Sequence, residues 1–541
     1  MVTLLLLAAC HTDPPKPDDT GAVGDDTAET GETAHSGDST DTSDTSDTSD
    51  TSDTSHSEES GETGGLDADG DGYVGVEDGG DDCDDTEADV HPGAADTPGD
   101  GEDDDCDGIL GPAVWTLVGK SDARFGVPMS PGDIDGDGLG DLTVGAEYAE
   151  DLSGAVYLFS GAEVVDGQRW NTARAEFVGA RLGDDSRAGL TPSRALGDLD
   201  GDGVDDLGYG VIYEDVDAPN TGAFHIWFGG EGLRGTLNSA DADHFLYDPD
   251  NAAEFGYAAS GIGDVDSDGY VDLLVSSYRA GDFWDGRVHY VPGSRLAASS
   301  GMISVEDLST GAIAGSRFEL LGVDLVGPVD VDDDGQLDLV MGATYGPVPD
   351  DFRGTLGVKY ALPCDGCYST SPDANVYGTD GYSNFGAQIG HGDLDGDGWT
   401  DLATSAPGTQ EAFVLYGSGT RWGTEQVDTL SAGYLNDDGL HAGLAVTDMT
   451  GDGVEELILT TVRSERGEIL VLPGGRRFPT DPTPPTSLAM WSTGEDAHGL
   501  DGRYVAAVEN APWPGRPLLA ASSRDVVYLV VQTDAEALPQ E

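Results

Sequence analysis

Asp133-Ile134-Asp135-Gly136-Asp137-Gly138-Leu139-Gly140-Asp141-Leu142 decides how this chain folds, because it is an acidic loop that runs straight into a strand and because it returns. Further copies begin at Asp198, Asp264, Asp330 and Asp393, and a degraded one begins at Asp448. Their first aspartates stand 65, 66, 66, 63 and 55 residues apart. A period of about 60 residues means a repeat architecture. Upstream of three copies lies a Phe-Gly pair, Phe125-Gly126, Phe255-Gly256 and Phe385-Gly386. Downstream comes a short apolar run, then a glycine and an alternating strand, as in Gly154 to Phe159, Gly222 to Trp227 and Gly286 to Tyr290. Several short strands per period with turn signals between them describe a propeller blade.

The loop has its own chemistry. A hard cation takes several oxygens at about 2.3 to 2.6 Å, and alternate positions of a tight turn converge on one point. In the first copy positions 1, 3, 5 and 9 are Asp133, Asp135, Asp137 and Asp141, with the carbonyl of Leu139 at position 7 as a backbone ligand. The second copy offers Asp198, Asp200, Asp202 and Asp206 with Val204. The third offers Asp264, Asp266, Asp268 and Asp272 with Tyr270, and the fourth Asp330, Asp332, Asp334 and Asp338 with Gln336. The fifth has Asp393, Asp395, Asp397 and Asp401 with Trp399. The sixth keeps Asp448, Asp452 and Glu456 but has Thr450 at position 3, so weaker binding is expected there.

Position 6 is glycine in all six copies, which permits a sharp bend with positive φ. An EF-hand would carry a bidentate Glu at position 12, where these loops have Val144, Tyr209, Val275, Met341, Thr404 and Leu459. Position 10 is always Leu, so each loop feeds a buried strand. The all-oxygen donor set selects calcium over zinc or copper, which want His or Cys, and over magnesium, which holds to octahedral geometry and keeps its waters. Five or six Ca2+ ions are expected in the repeats.

The repeat resembles the FG-GAP unit of integrin α-subunit propellers and their bacterial relatives, over roughly residues 112–535. That resemblance implies an all-β, seven-bladed β-propeller. Beyond the sixth loop, Tyr504 to Val508 and Val526 to Val531 leave room for a seventh blade without an acidic loop. The strand near Val114 to Val118 is then expected to complete that blade and close the ring.

Ahead of the repeats, residues 66–109 form an acidic module with Asp67, Asp69 and Asp71, then Cys83 and Cys106. It resembles short metal-binding modules of bacterial surface proteins, which implies additional Ca2+ there. Residues 11–65 carry Asp-Thr-Ser triplets and almost nothing apolar, so they read as a disordered linker. Residues 1–10 end in Leu7-Ala8-Ala9-Cys10, which resembles a bacterial lipobox, with Cys10 as the lipidated residue. By that resemblance the chain is lipid-anchored in a bacterial outer membrane, at the cell surface or the periplasmic face, and meets the membrane only through that lipid. The remaining cysteines, Cys83, Cys106, Cys364 and Cys367, allow three pairings. Pairing within each segment, Cys83 with Cys106 and Cys364 with Cys367, is the expected one.

A net charge of −82 repels phosphate and excludes nucleic acid as a partner. Catalytic constellations are scarce. The closest two of the ten histidines, His225 and His244, are 19 residues apart, and neither a Gly-x-Ser-x-Gly elbow nor a P-loop is present. The expectation is a monomeric, non-enzymatic module that binds a protein or glycan on a propeller face. A purely structural envelope protein and a polysaccharide lyase or hydrolase are the alternatives.

Overall fold

The computed structural model describes residues 113–531, apart from 166, 180–187, 189–195, 251, 346–351, 363–370, 380, 431, 437–439, 450–452, 464–465, 480–488, 493–499, 509–517 and 524–525. Isolated positions between 68 and 91 are described as well. The segments 1–10 and 11–65, with Cys10, lie outside the described residues, as do Asp67, Asp71, Cys106, Cys364, Cys367 and Asp452.

Seven sheets form seven blades. The first blade runs from its innermost strand outward as Phe125–Gly132, Asp141–Ala146, Ala155–Phe159 and Ala175–Val178. The second contributes Leu207–Val211, Ala223–Trp227 and His244–Tyr247. The third is Phe255–Gly261, Leu273–Ser277, Arg287–Val291 and Gly311–Ala314. The fourth is Leu321–Val329, Leu337–Ala343, Thr355–Leu362 and Ala374–Tyr377. The fifth is Ile389–Gly392, Asp401–Ala406, Glu411–Leu415 and Gly433–Asn436. The sixth is Leu440–Thr447, Glu456–Arg463, Arg466–Leu472 and Ala489–Ser492. The seventh has Leu500–Val508, Leu518–Ser523 and Val526–Val531.

Its outer strand comes from the other end of the repeat region. Ala113–Val118 pairs antiparallel with Val526–Val531, Ala113 facing Val531 and Val118 facing Val526, so the ring closes as the sequence led us to expect. Helix among the described residues is confined to short pieces such as Ala149–Leu152 and Gly293–Ala297.

The strand composition follows from packing. A blade in a ring is covered on both faces, so its middle strands are apolar throughout instead of alternating. Ala155–Phe159 and Leu207–Val211 are buried at every position. The outer strand Ala175–Val178 alternates buried and half-buried. The apolar residues divide into seven clusters, each between neighbouring blades. One joins the ends of the ring, with Leu117, Phe125 and Tyr157 packed against Val508, Leu518 and Leu529.

The Phe-Gly pair is explained by a close approach between blades. In the first four blades the glycine before the third strand bridges in parallel to the head of the next blade: Gly154 to Ala188, Gly222 to Phe255, Gly286 to Leu321 and Gly354 to Phe385. Ala188 and Leu321 therefore fill the phenylalanine position in the second and fourth blades, which lack Phe-Gly. At Gly222 φ is +78°, and a Cβ there would lie 2.4 Å from the Phe255 nitrogen. Only glycine fits.

Leu117 is fully buried in the closure cluster, whereas Met302 is 57% exposed. Leu117→Ala is expected to lower the unfolding free energy by about 3 kcal/mol and Met302→Ala by less than about 0.5 kcal/mol, as chemical denaturation would read. Equal effects would contradict closure through Ala113–Val118.

Candidate metal centres

In the five acidic-loop blades whose first strand is described, the loop joins it to the second strand, and the loop of the second blade likewise leads into Leu207–Val211, so the loops lie at one end of the ring. In five of them the side chains at positions 1, 3 and 9 converge. Carboxylate oxygens of Asp133, Asp135 and Asp141 lie within 4.8 Å of one another, as do those of Asp198, Asp200 and Asp206 and those of Asp264, Asp266 and Asp272. Asp330, Asp332 and Asp338, and Asp393, Asp395 and Asp401, form the remaining two groups.

The turn holds these groups with its own backbone. The position 1 carboxylate accepts the N–H groups of positions 5 and 6: Asp137 at 3.0 Å and Gly138 at 2.8 Å onto Asp133, Asp397 at 3.0 Å and Gly398 at 2.8 Å onto Asp393. The position 5 carboxylate, Asp137, Asp202, Asp268, Asp334 or Asp397, stands outside the three-carboxylate group. It accepts the N–H of position 7, from Leu139, Val204, Tyr270, Gln336 and Trp399 at 2.9 to 3.1 Å. The same hydrogen bond aligns position 7 in all five loops.

Position 9 is the buried anchor. Asp141, Asp206, Asp272, Asp338 and Asp401 are all fully buried. One oxygen of each accepts the position 2 N–H, from Ile134, Leu199, Val265, Val331 and Leu394. The other accepts an N–H just beyond or at the end of the third strand, from Gly161, Gly229, Gly293, Ala361 and Gly417 at 2.8 to 2.9 Å. Burial pushes the Asp141, Asp206 and Asp401 carboxyls up to about 7 and Asp338 to about 6, against the pull of these donors and with neighbouring aspartates adding to the rise. Asp272 is raised for the same reason. In the sixth loop Glu456 accepts the Met449 N–H at 2.8 Å, and Asp448 accepts that of Gly453 at 2.8 Å.

The donor set fits a hard divalent cation: three or four carboxylates at one turn, mutually repelling, with oxygen the only donor. When bound, such an ion would be held by positions 1, 3, 5 and 9 and would neutralise that repulsion. Of the acidic module, Asp69 is half-buried, Tyr73 stacks on His91 at 4.7 Å, and Cys83 is disulfide-bonded to a partner outside the described residues.

Several residues at these centres escaped sequence reading. Position 8 stitches loops together: Asp205 accepts the Asp133 N–H at 3.0 Å and Glu455 accepts that of Asp393 at 2.8 Å. Arg174, Arg421 and Arg477 reach the carboxylates of the first, fourth and fifth loops. The pairs Arg421-Trp422 and Arg477-Phe478 recur 56 residues apart, close to the 55 between the fifth and sixth loops, which was the available signal. Ser277, His289 and Asp248 also meet, with Ser277 Oγ 3.0 Å from His289 Nε2 and 2.5 Å from Asp248 Oδ2. They are buried, and both partners share one ring nitrogen, so the group is structural and not a relay to a nucleophile.

Comparison with known proteins agrees with this picture. FG-GAP repeat models match residues 125–159 and 385–422, and a family described as "Putative metal-binding motif" matches residues 82–110. Integrin alpha-PS2 of Drosophila melanogaster is 31% identical over 236 residues, 41% of this chain and 15% of that protein. Integrin alpha pat-2 of Caenorhabditis elegans is 25% identical over 232 residues, 40% of this chain and 18% of that protein. Phosphatidylinositol-glycan-specific phospholipase D of Rattus norvegicus is 29% identical over 148 residues, 27% of this chain and 17% of that protein. The chain thus spans less than a fifth of the length of these curated relatives. It carries FG-GAP repeats in a seven-bladed propeller, is homologous there to integrin α subunits, and has a metal-binding motif ahead of them.

Two outcomes follow from the buried carboxyls. Asp141, Asp206 and Asp401 titrate near 7 in the folded chain and unfolded aspartates near 4, so folding takes up protons between these values. In chelator the melting temperature is expected to rise as pH falls from about 8 to 5 and to drop as pH rises again, while saturating calcium flattens this dependence; a flat profile in chelator would contradict it. Asp206→Ala leaves two buried N–H groups unpaired and is expected to cost about 2 to 4 kcal/mol even in chelator, whereas Asp202→Ala costs under about 1 kcal/mol there and chiefly weakens ion binding. Denaturation with and without calcium separates the two.

Proposed function

We propose that this chain is a calcium-loaded surface propeller, tethered to a bacterial outer membrane through a lipid on Cys10 and the linker 11–65, whose disc binds a protein or glycan and catalyses no reaction. Calcium at the five full loops, and more weakly at the sixth, makes the ring rigid by binding the folded state alone. The homology to integrin α subunits supports the binding role. Among the described residues no helix is long and apolar enough to cross a membrane.

The observation that carries the binding reading is the division between the two ends of the blades. The acidic loops occupy one end. At the other, the turns of the third and fourth blades and the connections leaving them bear aromatic side chains that pack on one another without a core to enter. Phe283 and Trp284 are exposed, and Tyr382 is 61% exposed. Phe318 meets Phe283 edge-on at 5.8 Å, and Phe352 stands between Tyr345 at 4.6 Å and Tyr382 at 4.9 Å. The Tyr345 N–H donates to the Glu319 carbonyl, which joins the two groups into one surface. Arg317 lies 3.6 Å from the Phe283 ring centre and Arg279 5.3 Å from that of Trp284. Aromatic and arginine side chains of this kind dominate binding energies at interfaces and stack on sugars. Trp170 and Trp422, by contrast, are partly buried against blade cores.

A second reading, a hydrolase, draws only on the phospholipase D likeness. Both are tested by presenting the calcium-loaded full chain to an array of neutral and acidic glycans and extracellular proteins. A partner whose affinity falls at least tenfold in Trp284→Ala/Tyr382→Ala, with melting unchanged, is the expected result. Hits indifferent to that variant would overturn the aromatic surface, and release of a cleaved product would replace binding with catalysis.

A further inference from the structure

Basic residues are scarce, 23 Lys and Arg against 105 acidic residues, yet two arginines stand in one repeated arrangement. Arg421 lies on the outer connection of the fifth blade and reaches back to the loop of the fourth. Its Nε donates to Asp332 and its Nη2 to Asp334 at 2.6 Å. Its guanidinium lies 4.8 Å from the ring centre of Tyr360, whose hydroxyl accepts the Trp422 N–H at 2.8 Å.

Arg477 repeats this from the sixth blade onto the fifth. Nε donates to Asp395 at 2.5 Å and Nη2 to Asp397 at 3.1 Å. The guanidinium again lies 4.8 Å from a ring centre, that of Tyr416, whose hydroxyl accepts the Phe478 N–H at 2.5 Å. In both places the same nitrogens meet positions 3 and 5 of the preceding loop, over a tyrosine at the end of that blade's third strand. Arg174 differs: it is buried, belongs to the first blade itself and touches position 3 alone, at Asp135, 2.7 Å away. Among the described residues no cation stands on the carboxylates of the second or third loop.

Positions 3 and 5 are carboxylates a calcium ion needs. A guanidinium on the same pair neutralises part of the charge that attracts the ion, competes for its oxygens and repels the dication at short range. We infer that Arg421 and Arg477 set the calcium affinity of the fourth and fifth loops, as intramolecular counter-ions carried by the next blade, and hold these two loops weaker than the second and third. The inference rests on the calcium reading of the loops. It makes ion uptake at these two centres a rearrangement of the contact between blades four and five and between five and six. Among the described residues the second and third loops have no such cation to displace.

Calorimetric titration of the full chain with calcium tests this, together with terbium luminescence sensitised by Trp399, which sits at position 7 of the fifth loop. Wild type is expected to show a tighter and a weaker class of sites. Arg421→Gln/Arg477→Gln is expected to tighten the fourth and fifth loops by about tenfold and move them into the tighter class, leaving the sixth loop weak, an effect that shrinks at molar salt. Arg477→Gln alone shifts the Trp399-sensitised titration and Arg421→Gln alone does not. Arg169→Gln, an exposed arginine whose loss changes net charge equally, controls for long-range charge. If a glutamine variant does not fold, Arg477→Lys gives the reading, because an ammonium cannot fork across both carboxylates and an intermediate shift is expected. Calcium affinities equal to those of wild type or of Arg169→Gln would overturn the role of the arginines while leaving calcium at the loops. Absence of calcium from every loop would overturn the calcium reading and the inference together.

Discussion

Burying Asp141, Asp206, Asp272, Asp338 and Asp401 strips water from an ionised group, and that desolvation is offset from two directions. Backbone N–H groups from the loop and from beyond the third strand take both oxygens. A cation shared with positions 1 and 3, when bound, would supply the remainder. The carboxylate therefore sits where three strands of one blade meet, and it fixes the pitch of the first turn relative to the return of the third strand. It ties the inner hairpin to the outer connection within its own blade.

The acidic loops, their period, the unlit seventh blade and the closing strand were all legible in the chain, because local spacing encodes them. Asp-x-Asp-x-Asp-Gly is a turn before it is a metal site, and Leu at position 10 announces the buried strand. What stayed hidden lies across blades. Leu321 and Ala188 stand in for phenylalanine because the shared requirement is a backbone approach to Gly286 and Gly154, which leaves the side chain free to vary. Arg421 and Arg477 reach carboxylates 89 and 82 residues earlier, a distance at which no local pattern speaks. The separate standing of position 5 was likewise illegible, since hydrogen bonding to position 7 and ligation ask for the same aspartate.

The two ends of the blades answer to different physics. At the loop end, charge is concentrated and managed by backbone N–H groups and arginines. At the other end aromatic rings lie against guanidinium groups with little apolar depth beneath them.

Closure by Ala113–Val118 has a consequence for how the molecule comes into being. The strand's partner, Val526–Val531, leaves the ribosome roughly 400 residues later. Until then Ala113–Val118 has only the two-residue strand Gln168–Arg169 beside it, and blades already made can stack but cannot be locked into a circle. The last contact formed joins the oldest and the youngest strands of the ring. Once formed, it allows no terminal blade to peel away alone, so the disc comes apart only when that one seam opens.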